Sequence, residues 1–238
     1  MFTTLAPVNS PSNTDPHPAN HRGLPGRLQP LGLLANWQLS RQHILPRPIL
    51  DRVGGSSAVR SARLGTGEAI VVRSFAEGDS VARLTRLLHR AYSGHAAEGR
   101  VFFASYQSVE DTAYRLGRGE CWLALRAGEL VGTVTVAAPH GAPEGYPAPP
   151  GSGSFWQLAV DPSCQGTGLG QRLLALAEER ISELGSSQVV VDTSVEAVEL
   201  VGWYRRRGYV PVGSWRWSVT NYESVVLLKE LMPRGNGL

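Results

Sequence analysis

Six consecutive residues, Gln165-Gly166-Thr167-Gly168-Leu169-Gly170, have the composition of an anion-binding turn. Glycines let backbone N–H groups approach a charged ligand closely, and a helix starting here adds the positive end of its dipole. The flanking residues agree with that use. Phe155-Trp156-Gln157-Leu158-Ala159-Val160 reads as a strand stopped by Asp161-Pro162. Downstream, Leu169, Leu173, Leu174, Ala177, Ile181 and Leu184 recur at helical spacing, and Gly185 supplies a C′ residue. Spacing excludes two phosphate motifs. A Walker A loop needs Lys-Ser/Thr after its last glycine, where this chain has Gln171-Arg172. A dinucleotide fingerprint needs glycine at 171, and Gly170 comes one residue early. From these residues alone, an ordinary strand-to-helix turn remains the alternative.

The elements that must position this turn are legible on both sides. Ala69–Phe75 reads as a first strand, and Asp79 or Ser80 can cap a helix with Val81, Leu84, Leu87, Leu88 and Ala91 on its apolar face. Tyr92–Arg100 reads as a polar connection, followed by a helix over Val109–Leu116 capped by Ser108. Cys121–Leu125 and Leu130–Val136 form a hairpin around Ala127-Gly128-Glu129. Ala138–Ser154, dense in Pro and Gly, is a long surface loop. After the motif helix come a buried strand, Gln188–Thr193, and a short helix with Ala197, Leu200, Val201 and Tyr204 on one face, ending at Gly208. Tyr209–Val212 and Glu223–Leu228 are the last strands. This order implies an α/β fold, a mixed sheet with one parallel crossover spanning the glycine turn.

Composition narrows the partners. The pI of 9.1 suggests a polyanion partner until the charge is located. Residues 1–64 carry seven Arg against Asp15 and Asp51, a net of +5, so the remainder carries −2 of the total +3. The part expected to fold is not basic, and no nucleic-acid partner is expected for it. No apolar run approaches the roughly 18 residues of a membrane span, so no membrane partner is expected either. Cys121 and Cys164 have no zinc spacing, which leaves no metal expectation and a reducing, cytoplasmic compartment as the default. Residues 1–66 read as a disordered, low-complexity extension, with a transit-type segment or a non-native start as alternatives. Residues 233–238 read as a tail.

Gln165, Gly168 and Gly170 fill the pattern Gln/Arg-x-x-Gly-x-Gly/Ala after a strand, and Tyr204-Arg205-Arg206-Arg207-Gly208-Tyr209 fits a Tyr-x-x-x-Gly-Phe/Tyr segment near the end of the domain. With the order of elements, the chain over about residues 69–231 resembles the GNAT superfamily of acyl-CoA-dependent N-acyltransferases. The resemblance implies a mostly antiparallel mixed sheet whose central parallel strand pair splays apart, flanked by helices. It implies acetyl-CoA as acyl donor, held through its pyrophosphate by Gln165, Gly166, Thr167, Gly168, Leu169, Gly170 and Gln171. The pantetheine amides would lie along Leu158, Ala159 and Val160 like an added strand.

By the same resemblance Tyr204 is the acid for the departing thiolate; the alternative is that it packs with Leu200 and Val201. Where some family members carry a strand Glu as base, this chain has Ser154, and where many carry Asn at the start of the following helix it has Ala197. Asp192, Glu196, Glu223 and His140 are the other base candidates. Asp192 is more simply a strand-end residue or cap, His140 more simply solvated, and a water relay needs no dedicated base. Arg205, Arg206 and Arg207 suit the negative end of a helix dipole. Cys164 reads as a bystander and Tyr209 as core. Trp203, Trp215, Trp217 and the Tyr92–Tyr106 region are candidate walls of an acceptor pocket. The expected function is acetyl transfer to a primary amine of a small molecule or protein, with a non-catalytic acyl-CoA-binding module as the rival and dimerisation through the last strands open.

Overall fold

The computed structural model describes residues 60–63, as backbone, and 69–232. Eight strands form one sheet in the order β1-β2-β3-β4-β5-β6-β8-β7. They are β1 (Arg60–Arg63), β2 (Ala69–Ser74), β3 (Glu120–Arg126), β4 (Glu129–Ala137), β5 (Gly153–Val160), β6 (Gln188–Ser194), β7 (Val210–Trp215) and β8 (Ser224–Glu230). The helices are α1 (Val81–Ala97), α2 (Val109–Leu116), α3 (Leu169–Glu183) and α4 (Val198–Arg205). Every neighbouring pair is antiparallel except β5 and β6, which α3 connects. That is the mixed sheet with one parallel crossover expected from the sequence.

Local chemistry accounts for the boundaries. The β3–β4 hairpin turns on Ala127 and Gly128, both at positive φ (49° and 81°), the conformation of a two-residue primed turn. Ser108 caps α2 in a reciprocal capping box with Asp111. Ser80 caps α1 by accepting from the Arg83 N–H, while Asp79 accepts from Ala76 N–H and pairs bidentately with Arg73 at 2.6 and 2.7 Å.

Three boundaries differ from the sequence reading. Arg60–Arg63, assigned to the extension, pairs antiparallel with β2; the rest of residues 1–66, apart from these four, and the 233–238 tail lie outside the described residues. The connection expected from Tyr92 is two further turns of α1, through Ala97. Tertiary contacts override the weak helix propensity of Gly94: the Tyr92 hydroxyl donates to the Leu158 carbonyl at 2.9 Å, and the Tyr92 and His95 rings pack on Phe102 at 5.4 and 4.7 Å. The strand expected at Tyr209–Val212 runs on to Trp215, with a register shift between Pro211 and Gly213.

The middle of the sheet is covered on both faces, so its central strands are largely buried, with apolar residues broken by Thr133, Thr135, Gln157 and Thr193. Leu169, Leu173, Leu174, Ala177 and Ile181 of α3 pack with Trp122, Ala124, Val134, Val136 and Val189. Leu84, Leu87 and Leu88 of α1 take the opposite face against Cys121, Leu123 and Ala159. Beyond α1, the Pro-rich loop covers that second face. Its Tyr146 is buried against Val190, Val226 and Leu228, with Trp215 and Trp217 at the margin.

Only two residue pairs join β5 to β6, Gly153↔Val189 and Ser154↔Val190. A Cβ at Gly153 would run into the Ile181 side chain, so glycine there lets α3 close over the pair. Gly153→Ala is expected to destabilise the fold by about 1–3 kcal/mol, and to cost less than that in an Ile181→Ala background, which removes the Cγ2 that the new Cβ would meet. Equilibrium denaturation of the wild type, both single variants and the double variant checks this; an unchanged Gly153→Ala midpoint would contradict the packing described.

Candidate functional site

Past Ser154, β5 leaves β6 and stays paired only with β4. The departure coincides with a bulge. The β4–β5 register shifts between Thr133 and Thr135, and Gln157 takes a positive φ of 54°, unusual for a residue with a side chain. Backbone polar groups on the open side of β5 must find partners other than a strand. Tyr92 supplies one at Leu158, and Gln165 Nε2 donates to the Val160 carbonyl at 3.3 Å. The Gln157 Oε1 accepts from Thr135 at 3.2 Å, whereas its buried Nε2 has no partner among the described residues. Sequence reasoning missed Gln157; a lone Gln in an apolar strand was the available signal.

The open seam ends at the glycine turn. Asp161 stops the strand, accepts from the N–H and hydroxyl of Ser163, and pairs with Arg90 at 2.8 Å. A 3-10 turn, Pro162–Cys164, follows, and the Thr167 hydroxyl donates to the Cys164 carbonyl at 2.6 Å. Gly166 and Gly168 have φ of 74° and 87°, and a Cβ on either would meet no protein atom. Gly168 is the N-cap of α3 and offers no side chain to the first-turn N–H groups, so those donors face open space. Positive and negative φ alternating over consecutive N–H groups is the geometry of an anion nest. The residues present therefore fit a pyrophosphate. The Leu169 side chain is 1% exposed and belongs to the core, leaving only its backbone for a ligand.

Beside the turn lies a cleft of about 220 Å³ lined by Gln171, Leu174, Ala175, Glu178, Arg207 and Lys229. Arg207 stacks on Trp203 at 3.9 Å and donates to the Trp203 carbonyl and to Gln171. Arg205 and Arg206 are exposed. Lys229 pairs with Glu178 at 2.7 Å, and Glu178 also accepts from Tyr209 at 3.0 Å. Tyr209 is thus core, as expected.

Tyr204 differs from Tyr209 in one respect that matters for chemistry. Both are buried, but the Tyr204 hydroxyl has no hydrogen-bond partner among the described residues. Its ring packs against Phe155, Trp203 and Tyr209. Burial pushes its pKa well up, and Tyr92 and Asp192 add to the shift. Tyr92 is raised to about 12 by burial.

Asp192 is neither a strand end nor a cap. It lies inside β6, and its carboxylate accepts from the Tyr146 hydroxyl at 3.2 Å and from Trp217 Nε1 at 2.8 Å. His140 is not freely solvated either: it packs on Tyr146 and Trp156, and burial lowers its pKa. Glu196 and Glu223 are exposed. The aromatic candidates divide. Trp203 sits with α3 and α4, whereas Trp215 and Trp217 pack on Tyr146 over the opposite face. On that second face Phe102 also stacks on Tyr222 at 4.9 Å, and Tyr106 donates to the Val219 carbonyl. Tyr146 and Tyr222 were not singled out from the sequence, because loop residues carry no periodicity to announce them.

Neither thiol is placed for chemistry. Cys164 is 1% exposed, and Cys121 is 6% exposed with its pKa pushed up to about 11 by burial. In the native full-length protein neither cysteine is expected to react with a thiol-exchange reagent within minutes, and both should react after denaturation. Rapid native labelling at Cys164 would return it to the list of nucleophiles.

Known proteins agree with this geometry. A protein of Cellulomonas flavigena named mycothiol acetyltransferase is 32% identical over 142 residues, covering 59% of this chain and 40% of that protein. The S-(2-succino)cysteine N-acetyltransferase of Bacillus subtilis is 29% identical over 133 residues, covering 55% of this chain and 79% of that protein. This chain spans about half the length of the mycothiol acetyltransferases it matches. The GNAT domain of S. lividans PAT superposes with a TM-score of 0.57 at 20% identity, over 73% of this chain and 97% of that domain, a likeness of fold. The model of the Acetyltransferase (GNAT) family matches residues 82–209, from α1 through α4 to Tyr209, and the chain belongs to that family.

Proposed function

We propose that the protein is an acetyl-CoA-dependent N-acetyltransferase that transfers the acetyl group directly to a primary amine. The observation that carries this reading is the open β5–β6 seam, with an uncapped helix N-terminus at its end, the Tyr204 hydroxyl on α4 and the Asp192 carboxylate held on β6 by Tyr146 and Trp217. The backbone of Gln165–Gln171 would hold the pyrophosphate, and the open edge of Leu158–Val160 the pantetheine. The Leu158 and Val160 carbonyls already accept from side chains, so N–H groups of that edge would carry more of the contact. When bound, acetyl-CoA supplies the thioester acyl group. Tyr204 Oη then holds the proton that a leaving sulfur requires, and its raised pKa keeps that proton on at neutral pH. Asp192, directly or through water, takes the proton an attacking ammonium must lose, while the Tyr146 and Trp217 donors hold its carboxylate in place.

The names of the relatives favour a small-molecule amine over a protein amine, in particular the amine of a cysteine derivative. A non-catalytic acyl-CoA-binding module is the rival. CoA release from acetyl-CoA with a panel of amines separates the two: release with at least one acceptor is expected, and cofactor binding without release for any acceptor would favour the rival. Tyr204→Phe should lower kcat about 100-fold or more with little change in acetyl-CoA affinity. Because the Tyr204 pKa lies above its ordinary value of about 10, the wild-type rate should show no alkaline loss from this group below pH 10. An unchanged kcat in Tyr204→Phe would remove it as the acid.

A further inference from the structure

Arg115, in the last turn of α2, is a cation without an anion. Its guanidinium stacks over the Phe103 ring at 5.4 Å, Nε is shielded from solvent with no hydrogen-bond partner, and the group makes no ion pair among the described residues. Burial lowers its pKa to about 10, so it remains charged at neutral pH. The groups that feel its charge are Tyr92, Arg118, Asp192 and Asp111. None of them neutralises it. Tyr92 is a neutral phenol bound to the Leu158 carbonyl, and Asp111 is spent on the Ser108 N–H at 3.0 Å. Asp192 is held by Tyr146 and Trp217. With Nε shielded and no ion pair among the described residues, the partly buried guanidinium presents a planar fork suited to a carboxylate.

We propose that Arg115 binds the carboxylate of the acceptor, so that the acceptor is an α-amino acid whose amine is directed to Asp192 and whose carboxylate is directed to Arg115. This inference rests on the acyl-transfer reading and narrows its substrate class. A zwitterion supplies both charges that the chamber lacks: an anion for Arg115 and a cation for Asp192. Phe103, Tyr106 and Tyr222 leave an aromatic surface for an apolar or thioether side chain. The neutral amide of the same amino acid forfeits the charge-assisted pair at Arg115.

The test is equilibrium binding to the full chain in the presence of CoA, read by tryptophan fluorescence. The ligands are S-methyl-L-cysteine, L-methionine and L-phenylalanine, each beside its primary amide, with acetyl transfer measured in parallel. At least one acid should bind about 10- to 100-fold more tightly than its amide. Arg115→Gln should bring the two within about threefold without altering CoA affinity, and Arg115→Lys should keep part of the preference. Equal binding of acids and amides by the wild type, tighter binding of the amides, or no binding of any acid at millimolar concentration would each overturn the proposal. So would a preference that survives in folded Arg115→Gln. If that variant does not fold, the wild-type comparison alone decides. Acid-selective binding without acetyl transfer would overturn the acyl-transfer reading and leave the carboxylate site standing; brisk transfer with equal binding would do the reverse.

Discussion

The parting of β5 from β6 after only two paired residues is the constraint on which the rest of the structure depends. A parallel pair in the middle of a sheet normally continues, because each unpaired buried backbone group costs about 1–3 kcal/mol. Here the pairing is limited to Gly153, where α3 packs against the backbone, and Ser154, and the Gln157 bulge then turns β5 away. The open edge is then partly satisfied by groups from far along the chain, Tyr92 of α1 at Leu158 and Gln165 of the glycine turn at Val160. Two carbonyls are tied down while the edge as a whole remains without a strand. On one face α4 carries Tyr204, and on the other Tyr146 of the Pro-rich loop holds Asp192.

The two faces of that seam have different characters. On the α3 side most groups are committed to each other: Lys229 and Tyr209 to Glu178, Arg207 to Trp203 and Gln171 through its terminal nitrogens, while the α3 N-terminus is uncapped. On the α1–α2 side the polar groups are incompletely matched. Among the described residues Gln157 Nε2 and Arg115 Nε lack partners there. Buried polar groups in a folded domain are usually paired, so these two atoms are ones that a bound ligand is proposed to satisfy.

Much of the donor side was legible in the sequence. The glycine spacing, the strand before it and the amphipathic helix after it are local features, and local features survive translation into structure. The α1 extension through Ala97 was not legible, because Gly94 and the polar run around it argue against a helix while the ring contacts of Tyr92 and His95 with Phe102, which hold it, are tertiary. Asp192 illustrates the same limit. Its residue type suggested a strand end, and only the placement of Tyr146 from a loop and Trp217 from the β7–β8 connection turns it into a held carboxylate. Arg115 carries no signal at all in sequence; a helix-terminal arginine is ordinary until its surroundings show that nothing pairs with it. The proposed acceptor side is assembled from loops and helix ends, and so it is the part a linear reading reaches last.

The central claim is that the open edge of β5 and the turn below it form one continuous site for coenzyme A. Hydrogen exchange of the full chain with and without saturating CoA tests it most directly. The account predicts slowed exchange confined to segments covering residues 155–160 and 165–172, with β2 and β3 unaffected. Protection spread over the outer strands, or absent from both segments while CoA is bound, would contradict it.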